Sequence, residues 1–405
     1  MKNKKLIYKN DIPKKYLSRI NNKNFNKKYL DIIKDILNNF DNDHSIFSSL
    51  NEKFQLNFKI KDLNKFKNFK TVAIIGMGGS ILGSEAIYNF LKKKTKKAFL
   101  FLDNIDQENL RELKATENLN NILFIVISKS GNTIETISNL LSLKIVKKKS
   151  KNIIIISEKK NNLLYTMAQK FKLNYIEHKK NIRGRYSVLS EVGMVPAYLM
   201  GFNVLKFKKN LHKKIFYKNR TFLKRSSIIL SQLLKNNKFK NLIFFNYTPE
   251  LEKFLYWTQQ LIAESLGKKE KGFLPVVSQA PRDHHSLLQL YLDGPKDKIF
   301  YIFSKKFKIE KMNRIKTIES KTNFLNNKSL NQIKEAQKNA FINVLKNNKI
   351  PYREFIISDF DEETIGELFS YFMIETAIVG KLSNINPFDQ PAVEQVKINT
   401  VKLLR

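Results

Sequence analysis

The stretch Ile122-Leu-Phe-Ile-Val-Ile-Ser-Lys-Ser-Gly-Asn-Thr-Ile-Glu-Thr136 decides the fold. Its first six residues are apolar and mostly β-branched or aromatic, the pattern of a strand buried on both faces of a parallel sheet. At Ser128 the chain turns polar, and the spacing predicts a helix from about Thr133 to about Lys147. A loop at the carboxyl end of a strand that feeds a helix N-terminus gathers unpaired backbone N–H groups and a partial positive charge. Ser128, Ser130 and Thr133 add hydroxyls, Lys129 adds a charge, and Gly131 lets the backbone close around a ligand. That is the chemistry of a phosphate cradle. A helix cap uses the same residue types, since Ser or Thr followed three residues later by Glu is the capping-box pattern. A cap needs one hydroxyl, and this loop supplies three and a lysine.

Around this stretch, strands and helices alternate. Thr71-Val-Ala-Ile-Ile75 reads as a buried strand, Gly76-Met-Gly-Gly-Ser80 as a glycine-rich turn, and Ile81 to Leu91 as an amphipathic helix. Ala98–Leu102 and Asn152–Ile156 are further strands, with a helix over Asn109–Asn118. A second series begins at Asn241-Leu-Ile-Phe-Phe-Asn246 and continues through the strands Lys298–Phe303 and Glu354–Ser358, with Phe254–Leu266 as a helix. The basic stretch Lys206–Lys240 reads as a helical connector. The fold class is therefore α/β, with two doubly wound parallel-sheet domains and helical N-terminal and C-terminal extensions. The expected boundaries are a helical arm over 1–68, a first domain over 69–205 carrying the polar loop, a second over 206–382, and a C-terminal helical segment over 383–405. In such sheets ligands bind beyond the carboxyl ends of the strands, so Gly76–Ser80 and Ser128–Thr133 are expected to face one site.

The 405 residues suffice for two or three domains. The net charge of +38 invites a nucleic-acid reading. Against it, the lysine runs Lys92–Lys97 and Lys147–Lys151 fall where helices end between strands, and the Phe residues fall mostly in predicted core rather than in a stripe interleaved with Lys. There are no cysteines, which excludes thiolate catalysis and Cys-ligated metals, and no two of the five histidines have zinc-motif spacing on a predicted helix. The amino-terminal stretch has no signal-peptide core, and no run approaches the ~18 apolar residues of a membrane span. A cytoplasmic protein that binds neither nucleic acid nor membrane is expected. The glycine turn lacks the third glycine of a dinucleotide fingerprint, Ile81 standing in its place, although Asp103 ends the next strand where a ribose-binding acid would stand.

Four further segments carry chemistry-bearing side chains. Arg185 stands at the entry of an apolar helical run, as a surface residue or as one that reaches a site. Gln260 and Glu264 share a helix face, and Glu264 is either the ion-pair partner of Lys268 or a general base. Arg282-Asp-His-His-Ser286 puts two histidines beside an acid, the usual material of general acid–base work. Asn384-Ile-Asn-Pro-Phe-Asp-Gln-Pro-Ala-Val-Glu394 is a proline-braced turn that feeds a helix, with Glu394 and Lys397 as i, i+3 neighbours.

Taken together, in order from Thr71 to Lys397, the segments resemble the phosphoglucose isomerase (glucose-6-phosphate isomerase) family. They are Ile75-Gly-Met-Gly-Gly-Ser80, Ser128-Lys-Ser-Gly-Asn-Thr-Ile-Glu-Thr136, Gly184-Arg-Tyr-Ser-Val-Leu-Ser190, Gln260-Leu-Ile-Ala-Glu-Ser-Leu-Gly-Lys268, Asp283-His-His-Ser286 and Asn386-Pro-Phe-Asp-Gln-Pro-Ala-Val-Glu394 with Lys397. The resemblance implies two sugar-isomerase (SIS-type) domains, a C-terminal helix that returns to the active site, and reversible isomerisation of glucose 6-phosphate to fructose 6-phosphate through a cis-enediol(ate). It implies a sugar phosphate held by Ser128, Lys129, Ser130 and Thr133, with Gly79 and Ser80 lining the site and Gln260 and Gln390 on the substrate. It further implies ring opening by His285 with Lys397, proton transfer between C2 and C1 by Glu264, and charge stabilisation by Arg185. No metal or organic cofactor is implied. A homodimer is, with His285 supplied across the interface.

This chain departs from the family pattern at Asn132, His284, Ala392 and Gln395-Val396, where Thr, Gln, Gly and Leu-Gly are usual. A sugar-phosphate sensor built on the same domains would need the loop but not Glu264, Arg185 and His285 together. An isomerase that also handles mannose 6-phosphate is a further reading, since that choice depends on small groups around C2.

Overall fold

The computed structural model describes residues 5–13, 16, 23–235, 238–307 and 314–405. Strand β1 (Leu6–Asp11) and helix α1 (Lys23–Asn38) come first. β1 departs from the wholly helical arm expected over 1–68. It pairs antiparallel at the rim of the second sheet, Leu6 opposite Ile357 and Asp11 opposite Tyr352. An edge strand needs no continuous apolar run, and Leu-Ile-Tyr-Lys-Asn-Asp has none. Positions 1–4, 14, 15 and 17–22 of that arm lie outside the described residues.

The first sheet is built from β2 (Thr71–Gly76), α2 (Leu82–Leu91), β3 (Ala98–Leu102), α3 (Gln107–Thr116), β4 (Ile122–Ile127), α4 (Ile134–Ser142), β5 (Ile153–Ser157), α5 (Leu163–Phe171) and β6 (Asn174–Glu177). Its strand order is β3-β2-β4-β5-β6, parallel throughout. β4 and β5 are buried along their whole length, which is why their sequences are nearly unbroken apolar runs. β6 is a four-residue rim strand that the apolar pattern does not announce. α4 stops at Ser142, short of Lys147, and Lys144 takes a left-handed φ of 55° just beyond it.

The chain then crosses through α6 (Glu191–Leu199) and α7 (Arg220–Lys235); positions 236 and 237 of the predicted connector are not among the described residues. The second sheet follows from β7 (Asn241–Asn246), α8 (Glu252–Leu266), β8 (Leu274–Gln279), β9 (Lys298–Lys305), α9 (Leu330–Asn347) and β10 (Tyr352–Ile357). After it come α10 (Glu362–Leu382) and α11 (Glu394–Leu403). The order is β1-β10-β9-β7-β8, parallel except for β1. β8 contains Pro275, which suits its place at the sheet edge and hides it from an alternation count.

One buried core runs through α2, α6, α8 and α10 and joins the two units. α2 of the first unit packs on α8 of the second. Trp257 of α8 meets Phe369 of α10 edge-on with ring centroids 4.7 Å apart, so the apolar face of α8 is anchored there. Its polar face, with Gln260 and Glu264, is left toward the glycine turn at the head of α2. Among the described residues no helix is long and apolar enough to cross a membrane.

Candidate active site

The glycine turn is shaped by contact rather than by flexibility alone. A Cβ on Gly79 would lie 2.4 Å from the Gly184 carbonyl carbon, so a side chain there would force apart the turn before α2 and the turn Gly184–Tyr186. That contact delivers Arg185 to the cavity. Gly131, at φ 70°, has a similar role in the polar loop, where a Cβ would fall 1.8 Å from Asn162 Oδ1.

The hydroxyls of the loop converge. Ser128 Oγ lies 2.7 Å from Thr133 Oγ1 and 3.4 Å from Ser130 Oγ, and Ser130 Oγ lies 3.4 Å from Thr133 Oγ1. Thr133 is the N-cap residue of α4, yet its side chain caps no backbone N–H. Ser128 Oγ accepts from the Gly131 N–H at 3.1 Å and Ser130 Oγ from the Asn132 N–H at 3.3 Å, within the loop rather than in the first turn of α4. Asn132 turns outward, its Oδ1 accepting from the Leu163 N–H at 2.9 Å and tying the loop to α5.

Lys129 behaves differently from the expectation that it points at a bound phosphate. Its Nζ donates to the carbonyls of Lys180 at 2.9 Å and Ile182 at 2.7 Å and lies 3.4 Å from Glu158. Two of its donors are thus taken by backbone carbonyls, and Glu158 balances the charge. Burial pulls the ammonium below its ordinary pKa, with Glu158 offsetting part of the effect. The charge borders the cavity while the side chain braces the segment before Arg183.

Arg185 is buried and fully used. Nε donates to Ser265 Oγ at 2.8 Å, Nη2 to the Pro387 and Asp389 carbonyls at 2.8 and 2.9 Å, and Nη1 to Glu264 at 3.1 Å and Gln390 at 2.9 Å. One guanidinium therefore clips the turn after α10 onto α8. Glu264 also accepts from Gln260 Nε2 at 2.9 Å. The i, i+4 ion pair with Lys268 is not made: Lys268 lies 2.8 Å from Asp389 and donates to the Asn386 carbonyl. Glu264 is left facing the cavity with a guanidinium and an amide behind it.

These groups line a cavity of about 470 Å³. Gly79, Ser80, Lys129, Ser130, Thr133, Arg185, Gln260, Glu264, Gln390 and Lys397 all border it. Ser128 lies beneath the loop, buried behind Thr133. Lys397 makes the helix ion pair with Glu394, at 3.4 Å, and lines the cavity as well. His285 does not line it and is exposed. Its neighbour His284 is committed elsewhere, with Nε2 2.7 Å from the Tyr247 hydroxyl and the ring stacked on Phe245 at 5.4 Å. Burial, then the adjacent His285, lowers the His284 pKa. Glu158, Lys160 and Arg183 border the cavity without having been singled out from the sequence. The first two follow the carboxyl end of β5, where the strand-end rule applied to Ser157-Glu-Lys-Lys160 would have found them.

The family model for phosphoglucose isomerase matches residues 34–403. The glucose-6-phosphate isomerase of Methanocaldococcus jannaschii is 33% identical over 347 residues, covering 84% of each chain. That of Mycoplasmopsis pulmonis is 31% identical over 366 residues, covering 85% of this chain and 86% of the relative. Among solved structures, a hypothetical protein from Thermus thermophilus superposes with a TM-score of 0.83 at 22% identity, covering 98% of this chain and 100% of the other. A glucose-6-phosphate isomerase from Chlamydia trachomatis gives 0.70 at 20% identity over 85% of this chain and 72% of its own. The structures share the fold, and the sequence matches carry the kinship: this chain belongs to the phosphoglucose isomerase family.

Proposed function

We propose the following division of labour for the isomerisation of D-glucose 6-phosphate to D-fructose 6-phosphate, the reaction this chain catalyses as a member of the family. The Ser128–Thr133 loop holds the phosphate through its clustered hydroxyls and the backbone N–H groups at the head of α4. Gly79 and Ser80 form the opposite wall, and Gln260 and Gln390 orient the sugar. Glu264 removes the proton from C2 of the open-chain aldose and returns it at C1, passing through a cis-enediol(ate). Nη1 of Arg185, whose two partners both border the cavity, stabilises the oxygen that becomes negative. His285 and Lys397 open the pyranose ring by proton transfer at the ring oxygen. Because His285 stands outside the cavity of its own chain, this role requires a second copy that carries its His285 into the site, and hence a homodimer.

The observation that carries this reading is Glu264: a carboxylate with no lysine partner, held by Gln260 and Arg185 at the wall of a cavity whose opposite side is a hydroxyl-lined loop. The test is the conversion of fructose 6-phosphate to glucose 6-phosphate, without added metal, by wild type and Glu264→Gln. Turnover lost only in the variant supports Glu264 as the base, and equal turnover removes it from the mechanism. Mixing Glu264→Gln with His285→Ala tests the shared site. Activity regained on co-expression supports a histidine contributed across the interface, and no recovery refutes it.

A further inference from the structure

We propose that the second sheet carries an anion site of its own, a pocket at the carboxyl ends of β7 and β9 that takes a tetrahedral oxyanion, either free phosphate or the phosphate end of a small ester. The two sheets are wired alike. β2 lies between β3 and β4, and β7 lies between β8 and β9. In each case the chain leaves the central strand to one side and then crosses to the other, which makes a topological switch point, the place where open α/β sheets bind ligands.

The registers coincide as well. β2 pairs with β4 from Thr71 opposite Ile122 to Gly76 opposite Ile127; β7 pairs with β9 from Asn241 opposite Lys298 to Asn246 opposite Phe303. The residue after the last pair is Ser128 in one sheet and Ser304 in the other, each followed by a lysine, Lys129 and Lys305. Ser304-Lys305 thus stands where Ser128-Lys129 stands.

A pocket of about 90 Å³ opens at this point, bordered by Tyr247, Ser304 and four lysines, Lys305, Lys306, Lys334 and Lys338. Ser304 is only 3% exposed, and its Oγ has no hydrogen-bond partner among the described residues. A buried hydroxyl without a partner is costly unless something completes it. Lys338 is buried too, its ammonium 2.7 Å from Glu335, the one carboxylate on the pocket wall. The Tyr247 hydroxyl is taken by His284. The pocket is thus cationic, with a buried, unpartnered hydroxyl in its wall and, among the described residues that line it, no carboxylate outside an ion pair. Its volume is that of roughly three waters at ~30 Å³ each, against about 470 Å³ for the first cavity. It suits the oxyanion itself, with any ester group projecting outward. The parallel with Ser128 rests on reading that loop as a phosphate cradle; the pocket, its charge and the unpartnered hydroxyl do not.

The test is equilibrium dialysis of labelled inorganic phosphate against the full chain in low-salt chloride buffer. Two phosphates per chain are expected. Lys334→Glu, a charge reversal at a half-buried surface position, is expected to weaken one of them tenfold or more, and Ser304→Ala to weaken the same one threefold or more, with kcat unchanged within twofold in both. Methyl phosphate competing at that site extends the ligand to esters, and failure to compete restricts it to the free ion. A single phosphate per chain, or a second one indifferent to both substitutions, overturns the proposal. The double variant Ser130→Ala/Thr133→Val, expected to remove the other phosphate, tests the Ser128 loop separately.

Discussion

The switch points of the two sheets begin from the same strand register and end as different sites. Beyond β2 and β4 come Gly78-Gly79 and the hydroxyl loop, and the polar face of α8 crosses from the other unit with Glu264. Beyond β7 and β9 come Tyr247-Thr248-Pro249 and a lysine cluster, walled by α9 of the same unit. The absence of a side chain at Gly79 lets the Gly184 turn close in with Arg185, and its absence at Gly78 makes room for Gln260; Tyr247, in the place of Met77, instead engages His284. The sheets supply the crevices. The loop at the end of each strand, and the helix that crosses it, decide whether a crevice can hold a sugar or only an anion.

The sharpest way to break this contrast is Glu264→Gln, which takes the carboxylate of α8 out of the first site. A loss of kcat of about a thousandfold, near 4 kcal/mol, is expected in steady-state assays. A smaller effect concerns the histidine beside each site. His178 is buried near Lys129, with Nδ1 2.9 Å from the Lys179 carbonyl, and burial together with Lys129 lowers its pKa from 6.5 to about 4. The unfolded imidazole takes a proton near its ordinary pKa while the folded one does not until about 4. Its contribution to stability is therefore complete above about 6.5 and is lost as pH falls through about 4. Urea unfolding is expected to show a decline of up to about 3 kcal/mol across that window, and His178→Phe to flatten it. Thr133→Val removes one of three clustered hydroxyls and is expected to lower kcat/KM about tenfold, mainly through KM. Tyr247→Phe, which alters only the second site, is expected to change isomerisation less than twofold; a larger change would mean that the two sites communicate through His284.

The sequence shows the contrast unevenly, for physical reasons. Ile122–Ile127 and Asn241–Asn246 are legible because central parallel strands are covered on both faces and must be apolar throughout. β1, β6 and β8 lie at sheet rims where that demand lapses, and Pro275 disguises the last of them. The three-hydroxyl loop is legible because its residues are neighbours in the chain. The state of Glu264 is not: Lys268 follows four residues later, just past the end of α8, and only the fold brings in Asp389 to claim it. The bracing of Lys129 is hidden for the same reason, since the carbonyls that hold it belong to a distant segment. Arg185 by itself reads as a surface residue until the fold gathers its five acceptors.

β1 makes the molecule nested rather than tandem. The second sheet begins with Leu6–Asp11 and resumes only at Asn241, so the whole first sheet is an insertion within it. A fragment starting at residue 206 would lack β1 and leave the outer edge of β10 unpaired from Tyr352 to Ile357, a template for other chains. Two cuts in the chain are needed to part the inner unit from the outer one, and no single cut does so.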